Sequence, residues 1–249
     1  MSAASAGSTR TDVVALYRDQ GIVLRTYKLG EADRIVSFMT ERHGKVRAVA
    51  KGVRKTRSKF GARLEPTSHV ELQLYEGREL DIVTQAVSMD HFRAIREDLD
   101  RLTRAVTMLE AVDQLSLERE PNPDLYRMLL GALRTLAAGN SALVVAGFHW
   151  KALALEGFRP MVDVCVTCHE PDGLVAFDPL EGGLLCSAHR RGTRVSAEAV
   201  DLLQKILGGR LALALEEPAS PATHEVDHLA TRAMEHHLER RLRSVGVLE

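Results

Sequence analysis

The sequence predicts an α+β protein in which a small closed β-barrel is followed by a bundle of α-helices. Three observations support this prediction. Up to residue 87, apolar and polar residues alternate with a period of two, which is typical of strands. From about residue 98 the apolar spacing becomes that of amphipathic helices. All three cysteines fall in a loop-rich stretch, residues 160–192, that interrupts the helical part.

Five short segments before residue 90 are rich in the β-branched and aromatic residues of strands. The turn Glu41–Gly44 separates the second segment from the third, and Glu76–Glu79 forms a hairpin turn between the last two. The expected strands are 21–27, 34–40, 45–50, 70–75 and 80–87. Five strands joined by small turns within about 70 residues fit a small closed barrel such as an OB-fold.

Five helices are expected after residue 98. The first has its apolar residues, from Leu99 to Val112, on one face. The second begins with Asn122 as N-cap and Pro123 at the first helical position. The third runs over 141–156, ends at Gly157 and is apolar on more than one side, so we expect it to be buried. The last two cover about 196–207 and 223–243.

Length and composition fit two domains. The chain has 249 residues, 45% of them hydrophobic, which is enough for a core without disulfides. Residues 1–16 are mostly small and polar and lack the apolar stretch of a signal peptide, so we interpret them as a disordered tail and expect a cytoplasmic protein. We therefore expect a barrel domain over 17–90 and a helical domain over 91–249, with an inserted unit at 160–192.

The spacing of the cysteines predicts a metal site. Cys165 and Cys168 are separated by two residues, as are Cys186 and His189, and 17 residues lie between the two pairs. Each pair can bind one edge of a tetrahedral zinc ion. Four protein ligands leave no position for water or substrate, so the sequence predicts one structural Zn²⁺ in a zinc knuckle. The alternatives are His169 as the fourth ligand and three buried cysteines without a metal.

A second histidine motif matches the H-E-x-x-H pattern of zinc proteases, with His224 and His228 as ligands and Glu225 as general base. The chain lacks the glycine and third histidine that extend this motif, since Thr231 and Met234 stand at those positions. The same residues fit an amphipathic helix whose histidines face solvent. We therefore favour a helix over a catalytic site and expect no enzymatic activity.

The positive charge of the chain is concentrated in one segment. Nine basic residues and no acidic residue lie between Arg42 and Arg63. The remaining chain has 24 basic and 34 acidic residues, a formal charge of −10. This asymmetry points to a polyanionic partner, and cations in a flexible loop can follow a phosphate backbone. The residues expected to bind DNA are Lys45, Arg47, Lys51, Arg54, Lys55, Arg57, Lys59 and Arg63.

Five aromatic residues lie in or beside the expected barrel. One or two of them could stack on the bases of a single strand, although core packing explains most of them. They are Tyr17, Tyr27, Phe38, Phe60 and Tyr75. No residue pattern of a base-reading helix is present, so we expect weak sequence preference. A solvated charged loop without a nucleic-acid partner is the alternative.

Motifs in both halves of the chain resemble those of the bacterial DNA repair protein family RecO. In the first half these are Gly21–Leu24, Gly30–Arg34, Gly44-Lys45 and the segment from Lys51 to Pro66. In the second half they are Phe148–Pro160, Cys165–Cys168 and Phe177–Cys186. The resemblance covers nearly everything after residue 16, and the order and spacing of the motifs make it specific.

The resemblance implies an N-terminal OB-fold barrel, an α-helical bundle with an inserted zinc knuckle, and a recombination mediator in DNA repair. Such proteins bind ssDNA and dsDNA and anneal complementary strands. They bind the acidic C-terminal tail of single-strand-binding protein and, with RecR, help RecA onto the coated strand. This chain has His189 where many zinc-bearing members have a fourth cysteine, and Glu65 in a stretch that is often uncharged. An RNA-binding or ribosome-associated OB-fold protein is the alternative.

Overall fold

A computed structural model describes residues 15–242 and 244 of the chain. Its N-terminal part is a closed five-stranded barrel with the order β1-β2-β3-β5-β4, closed by pairing of β4 with β1. The pair β3–β5 is parallel and the others are antiparallel. The strands are β1 (Leu16–Leu29), β2 (Asp33–Thr40), β3 (Gly44–Ala50), β4 (His69–Tyr75) and β5 (Asp81–Asp90). The five predicted strands and the OB-like barrel are therefore confirmed.

The first strand is twice as long as the sequence pattern suggested. Its first half pairs with β4 and its second half with β2, so the same strand contributes to both sides of the barrel. The first half of β1 contains polar residues such as Arg18 and Gln20, so it shows no apolar alternation. The disordered tail expected over 1–16 lies outside the described residues except for Ala15 and Leu16, and Leu16 already begins β1.

Seven helices follow the barrel in the described part of the chain: α1 (Arg93–Arg96), α2 (Leu99–Leu115), α3 (Pro123–Ala138), α4 (Val144–Leu155), α5 (Ala197–Leu207), α6 (Leu211–Leu215) and α7 (Pro221–His237). The side chain of Asn122 accepts a hydrogen bond from the Leu125 N–H, which confirms the predicted N-cap. As expected, α4 is buried on several sides, and it lies in the middle of the bundle.

Three details of the helical part differ from the sequence prediction. The short helices α1 and α6 were missed, because one turn carries no periodic signal. Helix α7 ends at His237 and not near residue 243, since Glu239 takes the left-handed backbone conformation (φ 52°), which ends a helix. No described helix is both long and apolar enough to cross a membrane.

The inserted unit was predicted to be loop-rich, but it contains a three-stranded sheet of order β7-β6-β8. Its strands are β6 (Leu174–Asp178), β7 (Gly183–Cys186) and β8 (Thr193–Arg194). They are too short for an alternating pattern to show. Gly182 (φ +78°) turns the chain into β7, and a Cβ at Gly183 would lie 2.2 Å from the Met161 carbonyl oxygen. The Gly-Gly pair therefore allows the tight turn into β7.

The barrel and the helical bundle share one hydrophobic core. Ile22, Leu24 and Met39 point outward from the barrel and belong to the same buried cluster as α2, α3 and α4. The loop between α2 and α3 also docks on β3, where the Arg119 N–H donates to the Lys45 carbonyl oxygen at 2.9 Å. We propose the domain division at residue 90, between the end of β5 and the start of α1 at Arg93.

Candidate metal centre and candidate nucleic-acid interface

The β6–β7 hairpin brings the two predicted ligand pairs together. Cys165 and Cys168 lie in a turn before β6, closed by a hydrogen bond from the His169 N–H to the Cys165 carbonyl oxygen at 2.9 Å. Cys186 ends β7, and His189 lies in the short 3-10 turn that follows. The Ser187 N–H donates to the Gly173 carbonyl oxygen at 3.1 Å, which fixes this turn against the start of β6.

The four ligand atoms of Cys165, Cys168, Cys186 and His189 all lie within 4.8 Å of one another. The Sγ atoms of Cys168 and Cys186 are 3.7 Å apart, and the Cys186 Sγ is 3.3 Å from His189 Nδ1. Bonds of about 2.3 Å from a tetrahedral zinc ion would place two thiolates about 3.8 Å apart. The group could therefore hold one metal ion. His169, the alternative ligand, does not belong to this group.

Local hydrogen bonds favour the thiolate form that metal binding requires in Cys165 and Cys186, whereas the pKa of Cys168 is raised. Burial opposes ionisation of Cys165, but backbone N–H groups of Cys186, Cys168 and Thr167 outweigh it and lower the pKa of the thiol to about 5. The hydrogen bond with His189 lowers the pKa of Cys186. The donor set, three soft sulfurs and one imidazole, is the kind that zinc prefers over calcium or magnesium.

The basic segment, residues 51–68, connects β3 to β4 and lies over one end of the barrel. Phe60 and Leu64 anchor it, since both are buried in the barrel core. Arg54 fixes its first half, because its guanidinium Nη1 donates to the carbonyl oxygens of Gly30 (3.3 Å) and Glu31 (2.9 Å) in the β1–β2 turn. The segment is therefore more ordered than the flexible loop that the sequence suggested.

The eight predicted DNA-binding residues fall into two groups. Six lie on the basic segment with exposed side chains: Lys51, Arg54, Lys55, Arg57, Lys59 and Arg63. Two lie on β3 and contact acids of the helical domain. The Lys45 ammonium lies 3.9 Å from the Asp113 carboxylate, and Arg47 Nε lies 2.5 Å from the Glu118 carboxylate. The structure thus brings six of the cations together and holds the other two beside acids.

The five aromatic residues of the barrel differ in how far their rings are exposed to solvent. Phe38 and Phe60 are buried in the core. Tyr17 is partly buried and donates a hydrogen bond to the Asp81 carboxylate. Tyr27 and Tyr75 are 42% and 41% exposed. Core packing accounts for the first two, and only the last two present a large part of the ring to solvent.

Both parts of the chain match models of one protein family. A model of the recombination protein O N-terminal region matches residues 14–92, and one of the recombination protein O C-terminal region matches residues 96–245. A protein described as DNA repair protein RecO from Nocardioides sp. is 43% identical over 243 residues, which cover 94% of this chain and 99% of that protein. The chain belongs to the RecO family. The two RecO matches meet between β5 and α2, where the barrel gives way to the helices.

The protease-like motif of this RecO chain lies on the first turns of α7, and its residues do not converge on a site. His224 and His228 are exposed, as expected for the amphipathic helix. The Glu225 carboxylate accepts a hydrogen bond from the Ser196 N–H at 2.8 Å, so it helps to cap α5. Among the described residues, the cysteine and histidine group is the only close cluster of three or more potential metal ligands.

Sequence analysis missed the residues with which the RecO helical domain contacts the barrel. Arg119 Nη2 lies 2.6 Å from the buried Asp81 carboxylate, and Ser37 Oγ donates to Asp113 at 3.0 Å. A Cβ at Gly44 would lie 1.8 Å from the Glu120 carbonyl oxygen, so the α2–α3 loop docks tightly there. No local pattern marks these residues, because their partners are more than 35 positions away.

Proposed function

We propose that this chain is a non-enzymatic recombination mediator that binds ssDNA and dsDNA and anneals complementary strands. The observation that supports this function is the group of six exposed cations on the basic segment, which has no acid before Glu65. Phosphates of two strands bound to this surface would repel each other less, so their bases could pair. The match of both RecO regions and the 43% identical RecO relative agree with this role.

In this proposal the eight predicted cations do not contribute equally. Lys51, Arg54, Lys55, Arg57, Lys59 and Arg63 bind phosphates first, since no carboxylate contacts their side chains in the described structure. Arg47 contributes only when it leaves Glu118. Lys45 contributes least, because its side chain is 14% exposed and also donates to the Asp113 carbonyl oxygen.

The metal of this protein is one structural Zn²⁺ bound by Cys165, Cys168, Cys186 and His189. The ion would tie the turn before β6 to the end of β7. Its four protein ligands would leave no open position, so it stabilises the inserted unit and takes no part in a reaction. The cation surface on the barrel and the metal site on the helical domain therefore have separate tasks.

The partners that fit this function are ssDNA, dsDNA, the acidic C-terminal tail of single-strand-binding protein, RecR, and RecA indirectly. The protein would act in the cytoplasm, associated with the nucleoid. It would bind the coated strand and, with RecR, help RecA replace single-strand-binding protein on ssDNA.

The function is tested by annealing of two complementary labelled oligonucleotides coated with single-strand-binding protein, followed by RecA loading with and without RecR. We expect annealing by the protein alone and faster RecA loading when RecR is present. A second experiment measures the competition between structured RNA and ssDNA for binding to the protein. Preferential binding of the RNA, with no annealing of the coated DNA, would contradict the proposal and favour an RNA-binding protein.

A further inference from the structure

Four side chains form a row across the outer face of the barrel. The strand register pairs Tyr27 of β1 with Ile35 of β2, Ile35 with Val49 of β3, and Val49 with Ile82 of β5, and it continues from Ile82 to Tyr75 of β4. Residues that are directly paired in neighbouring strands point to the same face of a sheet. All four side chains are apolar or aromatic, and none belongs to a buried core cluster. We call this set the apolar row.

The apolar row lies beside the surface that the helical domain covers, and it is partly exposed to solvent. Tyr27 is 42% exposed, and Ile35, Val49 and Ile82 are partly exposed. The neighbouring row on the same face consists of Arg25, Ser37 and Arg47. The helical domain reaches this neighbouring row, where Asp113 contacts Ser37 and Glu118 contacts Arg47. No described contact of the helical domain covers Tyr27 itself.

Positive charge borders the apolar row on both sides. On one side the Arg25 guanidinium lies over the Tyr27 ring, 5.0 Å from its centroid. On the other side the next register pair on this face is Leu29 and Asp33, and beyond it Arg54 of the basic segment is bound to the β1–β2 turn. Asp33, the first residue of β2, accepts a hydrogen bond from the Gly52 N–H at 2.7 Å, so its carboxylate holds the start of the basic segment.

An aromatic ring and apolar side chains between cations are the combination that recognises an unpaired polynucleotide strand. The rings of unpaired bases stack on aromatic side chains, while the phosphates follow the cations. A duplex cannot use such a surface, because its bases are stacked inside the helix. An acidic peptide would use the cations but would gain little from a flat aromatic ring.

We propose that the apolar row is a stacking surface for the bases of single-stranded DNA, with Tyr27 as the residue that stacks on a base. Arg25 holds the ring from its other side and contacts a phosphate of the same strand. This inference rests on the proposed function, since it assumes that the strand reaches the barrel through the cations of the basic segment. It adds a reason for the protein to distinguish single strands from duplexes.

The test compares Tyr27→Leu with Phe158→Leu, a control at an exposed aromatic residue of the helical domain, outside the barrel. Binding is measured by fluorescence anisotropy with three probes: a thymine-rich single strand, an abasic strand of the same length, and a duplex. We expect Tyr27→Leu to weaken binding of the base-bearing strand about 10-fold and to leave the other two probes unchanged. Tyr27→Phe, which keeps the ring, retains wild-type binding, and Phe158→Leu behaves as wild type with all three probes.

Equal affinity of Tyr27→Leu and Phe158→Leu for the base-bearing strand would overturn the inference. An equal loss on the abasic strand would also overturn it, because the tyrosine would then act on the backbone or on the fold. Loss of binding in Tyr27→Phe would show that the hydroxyl, and not the ring, matters. Failure of the proposed function looks different, since the wild-type protein would then bind none of the three probes.

Discussion

Glu118 of the α2–α3 loop lies 2.5 Å from Arg47 of β3, so an acid of the helical domain neutralises a cation of the barrel. Asp113 lies beside Lys45 in the same way, at 3.9 Å. Both acids contact the part of β3 that the α2–α3 loop covers. The helical domain thus masks one end of the cation cluster, while the basic segment at the other end stays open.

Substitution of Glu118 by Gln should strengthen DNA binding. The change frees Arg47 to contact a phosphate, and one additional phosphate contact steepens the dependence of log K on log salt by about 0.9 for duplex DNA. Binding is measured at several salt concentrations by anisotropy. The matched control is Glu120→Gln, which changes net charge equally at an exposed residue of the same loop. An identical slope for both variants would contradict this role of Glu118.

Substitution of His189 should release the metal, and substitution of His169 should not. His189 Nδ1 lies 3.3 Å from the Cys186 Sγ, whereas His169 is outside the ligand group and holds a left-handed turn (φ 61°). Asparagine tolerates that conformation, so His169→Asn is the suitable control. Elemental analysis of protein purified without chelator should give about one zinc per chain for wild type and His169→Asn, in keeping with a four-ligand site. Retention of zinc by His189→Ala together with loss from His169→Asn would reverse the assignment.

His149 is fully buried in α4, and neither of its ring nitrogens has a hydrogen-bond partner among the described residues. Burial lowers the pKa of this imidazole from 6.5 to about 4. The unfolded chain therefore binds a proton between these pH values that the folded chain does not. The contribution of His149 to stability is complete above pH 6.5 and decreases as the pH falls toward 4.

His149→Leu should make the protein less sensitive to acid. One pKa unit corresponds to about 1.4 kcal/mol, so the wild-type protein should lose about 2 kcal/mol between pH 6.5 and pH 5 through this group. Urea unfolding at pH 7 and pH 5 measures the difference between the two proteins, and the acid sensitivity of the metal site is common to both. A parallel decrease in the free energies of unfolding would show that His149 does not titrate in this range.

Features that depend on local repetition could be predicted from the sequence. The alternation of apolar residues predicted all five barrel strands, because one face of each strand packs inside the barrel. The cap at Asn122 and the exposed positions of His224 and His228 also follow from neighbouring residues. The spacing of the cysteines placed four ligand atoms within 4.8 Å, since a hairpin brings two close pairs together.

Features that depend on distant contacts could not be predicted. Arg47 and Lys45 look like free cations in the sequence, but their carboxylate partners lie about 70 residues away. Arg54 looks like one more mobile charge, yet it binds the β1–β2 turn. The strands of the inserted unit, such as β8 with two residues, are formed by hairpin closure and not by propensity.

The role of the basic segment is tested most directly by strand annealing with Lys55→Glu/Arg57→Glu. Both side chains are exposed and neither forms a described ion pair, whereas reversal at Arg54 would also remove an anchor of the segment. The control, Arg134→Glu/Arg210→Glu, makes the same charge change at exposed residues of the helical domain. The account predicts that the Lys55/Arg57 variant loses annealing and the control keeps it. Unchanged annealing by the Lys55/Arg57 variant would contradict the account.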